Sequence, residues 1–219
     1  MAVYVDSANL EEVREALATG FVRGVTTNPI LIARTGKTPE EVVAGICGLE
    51  PAEVFYQPSA TGKEAMKEEL HRIREIVNGF SRPPDLIPKI PATWDGFALV
   101  KELAPEWRCA VTAVYSAAQA YLAREAGARY IIPYVNRATR FGGDGPTLVA
   151  EIAYVLEGSG VEIVAASLKT PDEVVAVLVN GAHHITVPLN VLKAMANHPL
   201  SLQAVEEFAQ TSRRFRNLR

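Results

Sequence analysis

Eight short β-rich runs alternate with helical patterns along this chain, and that alternation restricts the possible folds more than any other feature. The runs are Val3 to Asp6, Gly24 to Asn28, Val54 to Gln57, Leu86 to Ile90, Cys109 to Tyr115, Tyr130 to Tyr134, Glu162 to Ser167 and His184 to Val187. Between them apolar residues recur at three- and four-residue spacing, as in Leu10 to Ala18, Glu64 to Val77 and Pro171 to Val179. Thr38-Pro39-Glu40-Glu41 and Thr170-Pro171-Asp172-Glu173 each supply a cap, a first-turn proline and acids, the signals of a helix start. Gly20, Gly127 and Gly181 stand where helices stop. Strands apolar on both faces, each followed by a helix, call for a parallel sheet covered by helices. Eight such units in 219 residues fit a closed (β/α)8 TIM barrel, a fold that needs about 200 residues or more.

An open, doubly wound sheet is the rival, but no Gly-x-Gly-x-x-Gly turn follows the first strand. The glycines at 142, 143 and 145 come after the sixth strand instead and read as a turn. Residues 1–219 therefore read as a single barrel domain, with 199–219 an extra C-terminal helix. Its apolar face (Leu202, Val205, Phe208, Ala209) needs cover from its own barrel or from a neighbouring subunit.

Composition removes several function classes. The chain carries 22 basic and 25 acidic residues, a net charge of −3, and so lacks a basic footprint for nucleic acid. No apolar stretch approaches the ~20 residues that span a bilayer, and the first residues enter a strand pattern without a signal sequence. A cytoplasmic protein with no membrane partner is expected. Cys47 and Cys109 lack metal-ligand spacing and read as small core hydrophobes. His71, His183, His184 and His198 are scattered over different elements, whereas a zinc site needs several to converge.

Lys89 interrupts the apolar run Leu86-Ile87-Pro88-Lys89-Ile90-Pro91. Burying an ammonium is costly unless it is paired or neutralised, and desolvation favours the free amine that attacks carbonyls. The alternative is an edge-strand lysine whose head reaches solvent. Its company favours the first reading. Catalytic groups of barrels come from the C-terminal ends of several strands, and those ends are Asp6, Asn28, Gln57, Lys89, Thr112, Tyr134 and Ser167. One polar strand end is commonplace as a helix cap; seven in succession point to a shared site. Arg137 follows Tyr134 by three residues and Lys169 follows Ser167 by two, so basic groups flank the late strands and suit a phosphate.

At these residues the chain resembles the small transaldolases and fructose-6-phosphate aldolases. The segments that carry the likeness are Gly24-Val25-Thr26-Thr27-Asn28-Pro29, Lys89-Ile90-Pro91, Thr112-Ala113-Val114-Tyr115-Ser116-Ala117-Ala118-Gln119, Pro133-Tyr134-Val135-Asn136-Arg137 and Ala165-Ala166-Ser167-Leu168-Lys169-Thr170. The resemblance implies a (β/α)8 barrel, no metal, no organic cofactor, and a Schiff-base lysine on the fourth strand, which falls on Lys89. It also implies that Asp6, Thr27 and Asn28 hold the ketose hydroxyls, and that Tyr134 transfers a proton with a water held by Gln57 and Thr112. Arg137, Ser167 and Lys169 match the family's phosphate site. The substrates implied are sugar phosphates or small aldehydes and ketones, and the assemblies implied are pentamers and decamers, with the last helix laid on a neighbour.

Within the family, aldolases pass the bound three-carbon unit to a proton. Transaldolases pass it to a second sugar phosphate, as from sedoheptulose 7-phosphate to glyceraldehyde 3-phosphate in the pentose phosphate pathway. Transaldolases typically carry glutamate, asparagine and phenylalanine where this chain has Gln57, Ala110 and Tyr134, so the likeness leans to the aldolase branch. Ile132 stands where relatives commonly have serine or alanine, and Pro88 and Tyr56-Gln57-Pro58 are also atypical. Competing expectations are a barrel using Lys89 without covalent chemistry, and a sugar-phosphate binding barrel without turnover.

Overall fold

Each β-rich run forms a strand, and each strand pairs in parallel with the one before and the one after it, the last pairing with the first. The computed structural model describes residues 1–216, with side chains as far as residue 213. The strands are β1 (Ala2–Asp6), β2 (Val22–Thr26), β3 (Glu53–Tyr56), β4 (Asp85–Pro91), β5 (Ala110–Val114), β6 (Tyr130–Pro133), β7 (Glu162–Ala165) and β8 (His184–Val187). They close into a barrel because β8 returns to β1, with Val5 opposite Val187. The expected (β/α)8 TIM barrel with an extra C-terminal helix is the observed architecture.

Eight helices cover the strands: α1 (Leu10–Leu17), α3 (Pro39–Cys47), α4 (Lys63–Asn78), α5 (Trp94–Leu103), α6 (Ala117–Ala126), α8 (Gly145–Val155), α9 (Pro171–Val179) and α10 (Leu189–Ala196). Thr38 closes a reciprocal capping box on α3, Thr170 caps α9, and Gly127 ends α6 at a φ of 95°. Two six-residue helices, α2 (Pro29–Arg34) and α7 (Val135–Arg140), lie in strand-to-helix connections and were too short to show a helical period. The glycine cluster is only partly a turn. Gly142 turns at a φ of 88°, whereas Gly145 opens α8 so close to Val135 that a Cβ would sit 2.5 Å from its carbonyl oxygen.

Alternation along the strands builds two apolar layers. Val5, Val25, Val54, Val111, Ile163 and Ile185 face the helices, while Tyr4, Phe55, Ile87, Ala110, Tyr130, Ile132 and Val164 fill the barrel. Tyr4 and Tyr130 meet Phe55 edge-on at 5.0 and 5.3 Å, which plugs the N-terminal end with stacked rings. Cys47 and Cys109 are buried core residues; burial pushes their thiols up to about 11 and about 12, so neither offers a thiolate near neutrality.

Beneath the rings, buried Glu53 accepts hydrogen bonds from Tyr4 Oη (2.6 Å) and Arg108 (3.0 Å) and pairs with Arg23 (2.9 Å). Burial pushes its carboxyl up, but the bonds from Arg23, Tyr4 and Arg108 outweigh that push and hold it below the usual carboxylate range. A carboxyl with a folded-state pKa below its unfolded value near ~4.3 stabilises the fold above that pH. That stability drains away as pH falls through the lower folded value. The urea midpoint is therefore expected to drop below pH ~4, and Glu53→Gln to flatten that drop while lowering stability at pH 7. An equally steep acid limb in the variant would place the acid-labile group elsewhere.

The last helix, α11 (Pro199–Arg216), does not bury its apolar stripe on its own barrel: Leu202, Val205 and Phe208 are 51, 63 and 69% exposed. The C-terminal residues 217–219 of the expected helix lie outside the described residues. Among the described residues no helix is long and apolar enough to cross a membrane.

Candidate active site

Because the N-terminal end is plugged, the barrel opens only where the strands end, and a cavity of about 380 Å³ lies there. Lys89 shares the inward face of β4 with Ile87, two residues earlier, and is only 3% exposed. Its Nζ donates to the Thr27 carbonyl at 2.8 Å and forms no ion pair among the described residues. A lysine so buried, with a single neutral partner, is an uncommon and expensive arrangement.

Of the ten residues expected at the site, eight line this cavity: Asp6, Asn28, Gln57, Lys89, Tyr134, Arg137, Ser167 and Lys169. Thr27 and Thr112 are fully buried behind them. Thr27 serves through its backbone carbonyl, since its own hydroxyl reaches back to Phe55 O at 3.4 Å. Among the described residues, the buried polar atoms Gln57 Oε1 and Thr112 Oγ1 have no hydrogen-bond partner. Buried polar atoms are nearly always satisfied, so this pair suits a water or ligand group between them and the cavity. Gln57 is held in place by the loop that follows it. Buried Glu69 of α4 accepts from Tyr56 Oη (2.5 Å) and from the Ser59 and Ala60 amides (2.9 Å each).

Asp6 Oδ1 accepts from Thr26 Oγ1 at 2.8 Å, and Thr26 meets Thr186 Oγ1 at 2.7 Å. Asn28 Oδ1 caps α2 through the Ile30 and Leu31 amides (3.1 and 3.0 Å), which leaves its Nδ2 to a ligand. The Tyr134 ring stands edge-on to Tyr115 at 6.1 Å, and the Arg137 guanidinium lies over it at 5.0 Å from the centroid. Two non-glycine residues at the mouth adopt the left-handed region: Ala113 at a φ of 56°, beside a register shift in β5, and Ser167 at 60°. Such conformations cost about 1–3 kcal/mol and gather at functional sites.

The cavity lining also includes residues not expected at the site, among them Thr26, Thr186, Arg34 and Ala113. Thr26 and Thr186 sit two positions from Asn28 and His184, so inward alternation was the available signal. Arg34 ends α2 and faces both this cavity and a larger one of about 710 Å³ beside α1. Nothing in the sequence marked it, and nothing marked the bend at Ala113. The larger cavity contains neither Lys89 nor any other of the expected strand-end residues, so the smaller one is the candidate site. The four histidines do not converge on one point: His183 and His184 are chain neighbours with rings 6.4 Å apart, His183 accepting from the Ile163 amide and His184 pairing with Glu162 (3.0 Å), while His71 packs on Trp107 and His198 precedes α11.

The open end of this barrel gathers a buried lysine, polar side chains and an arginine, and the chain is an enzyme of the aldolase/transaldolase type. The family described as Transaldolase/Fructose-6-phosphate aldolase matches residues 3–218. A protein of Pelotomaculum thermopropionicum named "Probable transaldolase" is 38% identical over 216 residues, covering 96% of both chains. One of the same name from Carboxydothermus hydrogenoformans is 37% identical over 211 residues, covering 95% of this chain and 96% of its own. The chain belongs to the transaldolase/fructose-6-phosphate aldolase family.

Proposed function

We propose that this protein is a class I aldolase that cleaves or forms the C3–C4 bond of fructose 6-phosphate-type ketoses through a Schiff base on Lys89. The observation that carries the proposal is the burial of Lys89 at the cavity floor without a carboxylate partner. Its amine adds to the C2 carbonyl and expels water, and the resulting iminium is the electron sink. The C4 hydroxyl loses its proton, the C3–C4 bonding pair flows into the iminium, and an aldehyde phosphate departs. Tyr134, through a water held by Gln57 and Thr112, takes that proton and returns it to C3 of the enamine. Water then releases dihydroxyacetone and restores the amine.

Asp6, Asn28 and the Thr27 backbone surround the donor, while Arg137, Ser167 and Lys169 receive the phosphate. Ile132, fully buried and lining the cavity, narrows the space beside the donor and favours a smaller ketone such as hydroxyacetone. The test is borohydride reduction in the presence of dihydroxyacetone, followed by peptide mapping. A reduced three-carbon adduct on Lys89 is expected; no adduct, or one on another lysine, would remove the imine mechanism and leave a non-covalent barrel.

A transaldolase is the second reading, favoured by the names of the relatives. Running the reaction with and without a second aldose phosphate separates the two. Free dihydroxyacetone marks an aldolase, and a new ketose phosphate formed only with the acceptor marks a transaldolase.

The exposed stripe of α11 is covered, in this proposal, by a second copy of the chain within a cytoplasmic ring-shaped homo-oligomer, a pentamer or decamer. Leu202, Val205 and Phe208 are worth roughly 1.5–3 kcal/mol each when fully buried. Light scattering is expected to give a ring mass for the full chain and a smaller one after deletion of residues beyond His198. A full-length monomer would mean that the stripe has no partner of this kind.

A further inference from the structure

We propose that Glu173 is a positioning residue that sets the spacing between Arg137 and Lys169 and thereby tunes the site for phosphorylated aldehydes. The inference rests on the phosphate reading of those two residues given above. Glu173 lies in the first turn of α9, within neither β6 nor β7, and does not line the cavity. Its carboxylate nevertheless ties together the two loops that carry the cationic groups. Oε1 accepts from Asn136 Nδ2 at 2.6 Å, one residue before Arg137, and Oε2 accepts from the Lys169 backbone amide at 2.6 Å. Both bonds are short, as expected for donors to an ionised carboxylate.

The backbone continues the same seam. Val135 N donates to Ala166 O at 3.0 Å, and Asn136 N donates to Ser167 O at 3.1 Å. Ser167 is held in the left-handed region at this junction, where it lines the cavity. The connection after β6 and the connection after β7 are thus stitched into one unit, and Glu173 supplies the side-chain stitches. Without them, Arg137 depends on a six-residue helix and Lys169 on an exposed turn. Positioning of this kind matters because a ligand bound by several charged groups loses affinity when any one must be ordered on binding.

Simple electrostatics predicts the opposite sign, which makes the proposal sharp. Removing a carboxylate near a phosphate site relieves repulsion and should tighten phosphate binding. A positioning role instead predicts that Glu173→Ala weakens it. The experiment is the addition of dihydroxyacetone to glyceraldehyde 3-phosphate and to unphosphorylated glyceraldehyde, in the full-length protein and its variants. The expected result is a ratio of KM values (phosphorylated over unphosphorylated) about tenfold higher in Glu173→Ala. The kcat for both acceptors should stay within about twofold. Glu173→Gln, which keeps an acceptor for the Lys169 amide, should fall between. An unchanged or lower ratio, or equal losses on both acceptors, overturns the positioning role while leaving the phosphate site in place. If the unmodified protein itself shows no preference for the phosphorylated aldehyde, the underlying phosphate reading fails, and this inference fails with it.

Discussion

Replacing Lys89 by methionine is expected to leave a folded barrel that neither cleaves ketose phosphates nor captures dihydroxyacetone under borohydride. Methionine keeps the length and flexibility of the lysine stem among buried neighbours. The change leaves the Thr27 carbonyl without its Nζ donor, a loss of about 1–3 kcal/mol. It also removes the cost of holding an amine in a site that is 3% exposed, so the net effect on stability is small or favourable. Chemistry is another matter, because no other lysine lies on the cavity floor: Lys169, the second lysine of the lining, is an exposed residue of the connection after β7. Loss of a covalent nucleophile lowers kcat by orders of magnitude, on the scale of ~10⁴ or more. Thermal melting would verify the fold, and coupled detection of the released aldehyde would verify the loss. Retained cleavage within tenfold of the unmodified protein would mean that the lysine acts only as a charge, or not at all.

The two parts of the site differed in how far the sequence announced them. Lys89 was legible because a cation breaks an apolar run, and Asp6, Gln57 and Tyr134 because polar residues recurred at successive strand ends. Those signals depend on local alternation, which survives folding unchanged. Thr26 and Thr186 became site residues only on closure of the barrel, which brings positions 160 apart in the chain to 2.7 Å. Thr112 was expected at the rim as a strand end and Thr27 as a substrate-binding neighbour of Asn28, but both side chains are buried behind the lining, with only the Thr27 carbonyl reaching Lys89. Arg34 and the Glu173 seam depend on how strand-to-helix connections fold. Those connections are short irregular segments without a period, so neither helical nor strand patterning describes them. The α11 stripe was visible as a pattern, but its failure to fold back onto the barrel was not, since the pattern says only that cover is needed.

If Tyr134 carries the proton as proposed, Tyr134→Phe is expected to separate aldol cleavage from transfer to a second aldehyde. The ring packs edge-on to Tyr115 at 6.1 Å and under the Arg137 guanidinium at 5.0 Å, so phenylalanine keeps the packing and removes only the hydroxyl. Imine formation depends on Lys89 and should persist, giving undiminished borohydride adduct with dihydroxyacetone. Cleavage to free dihydroxyacetone needs a proton delivered to the enamine carbon, and removing a positioned proton-transfer group costs roughly 10²–10⁴-fold. In the proposed mechanism Gln57 and Thr112 still hold the proton-carrying water in the variant, so the loss should lie toward the lower end of that range. An enamine that waits longer for its proton is available longer to a second aldehyde. The ratio of transfer product to free dihydroxyacetone should therefore rise in the variant when an aldose phosphate is present. Chromatographic quantification of both products from the same reaction measures that ratio directly. Unchanged cleavage in Tyr134→Phe would assign proton transfer to another group, with Asp6, held 2.8 Å from Thr26, the next residue to replace.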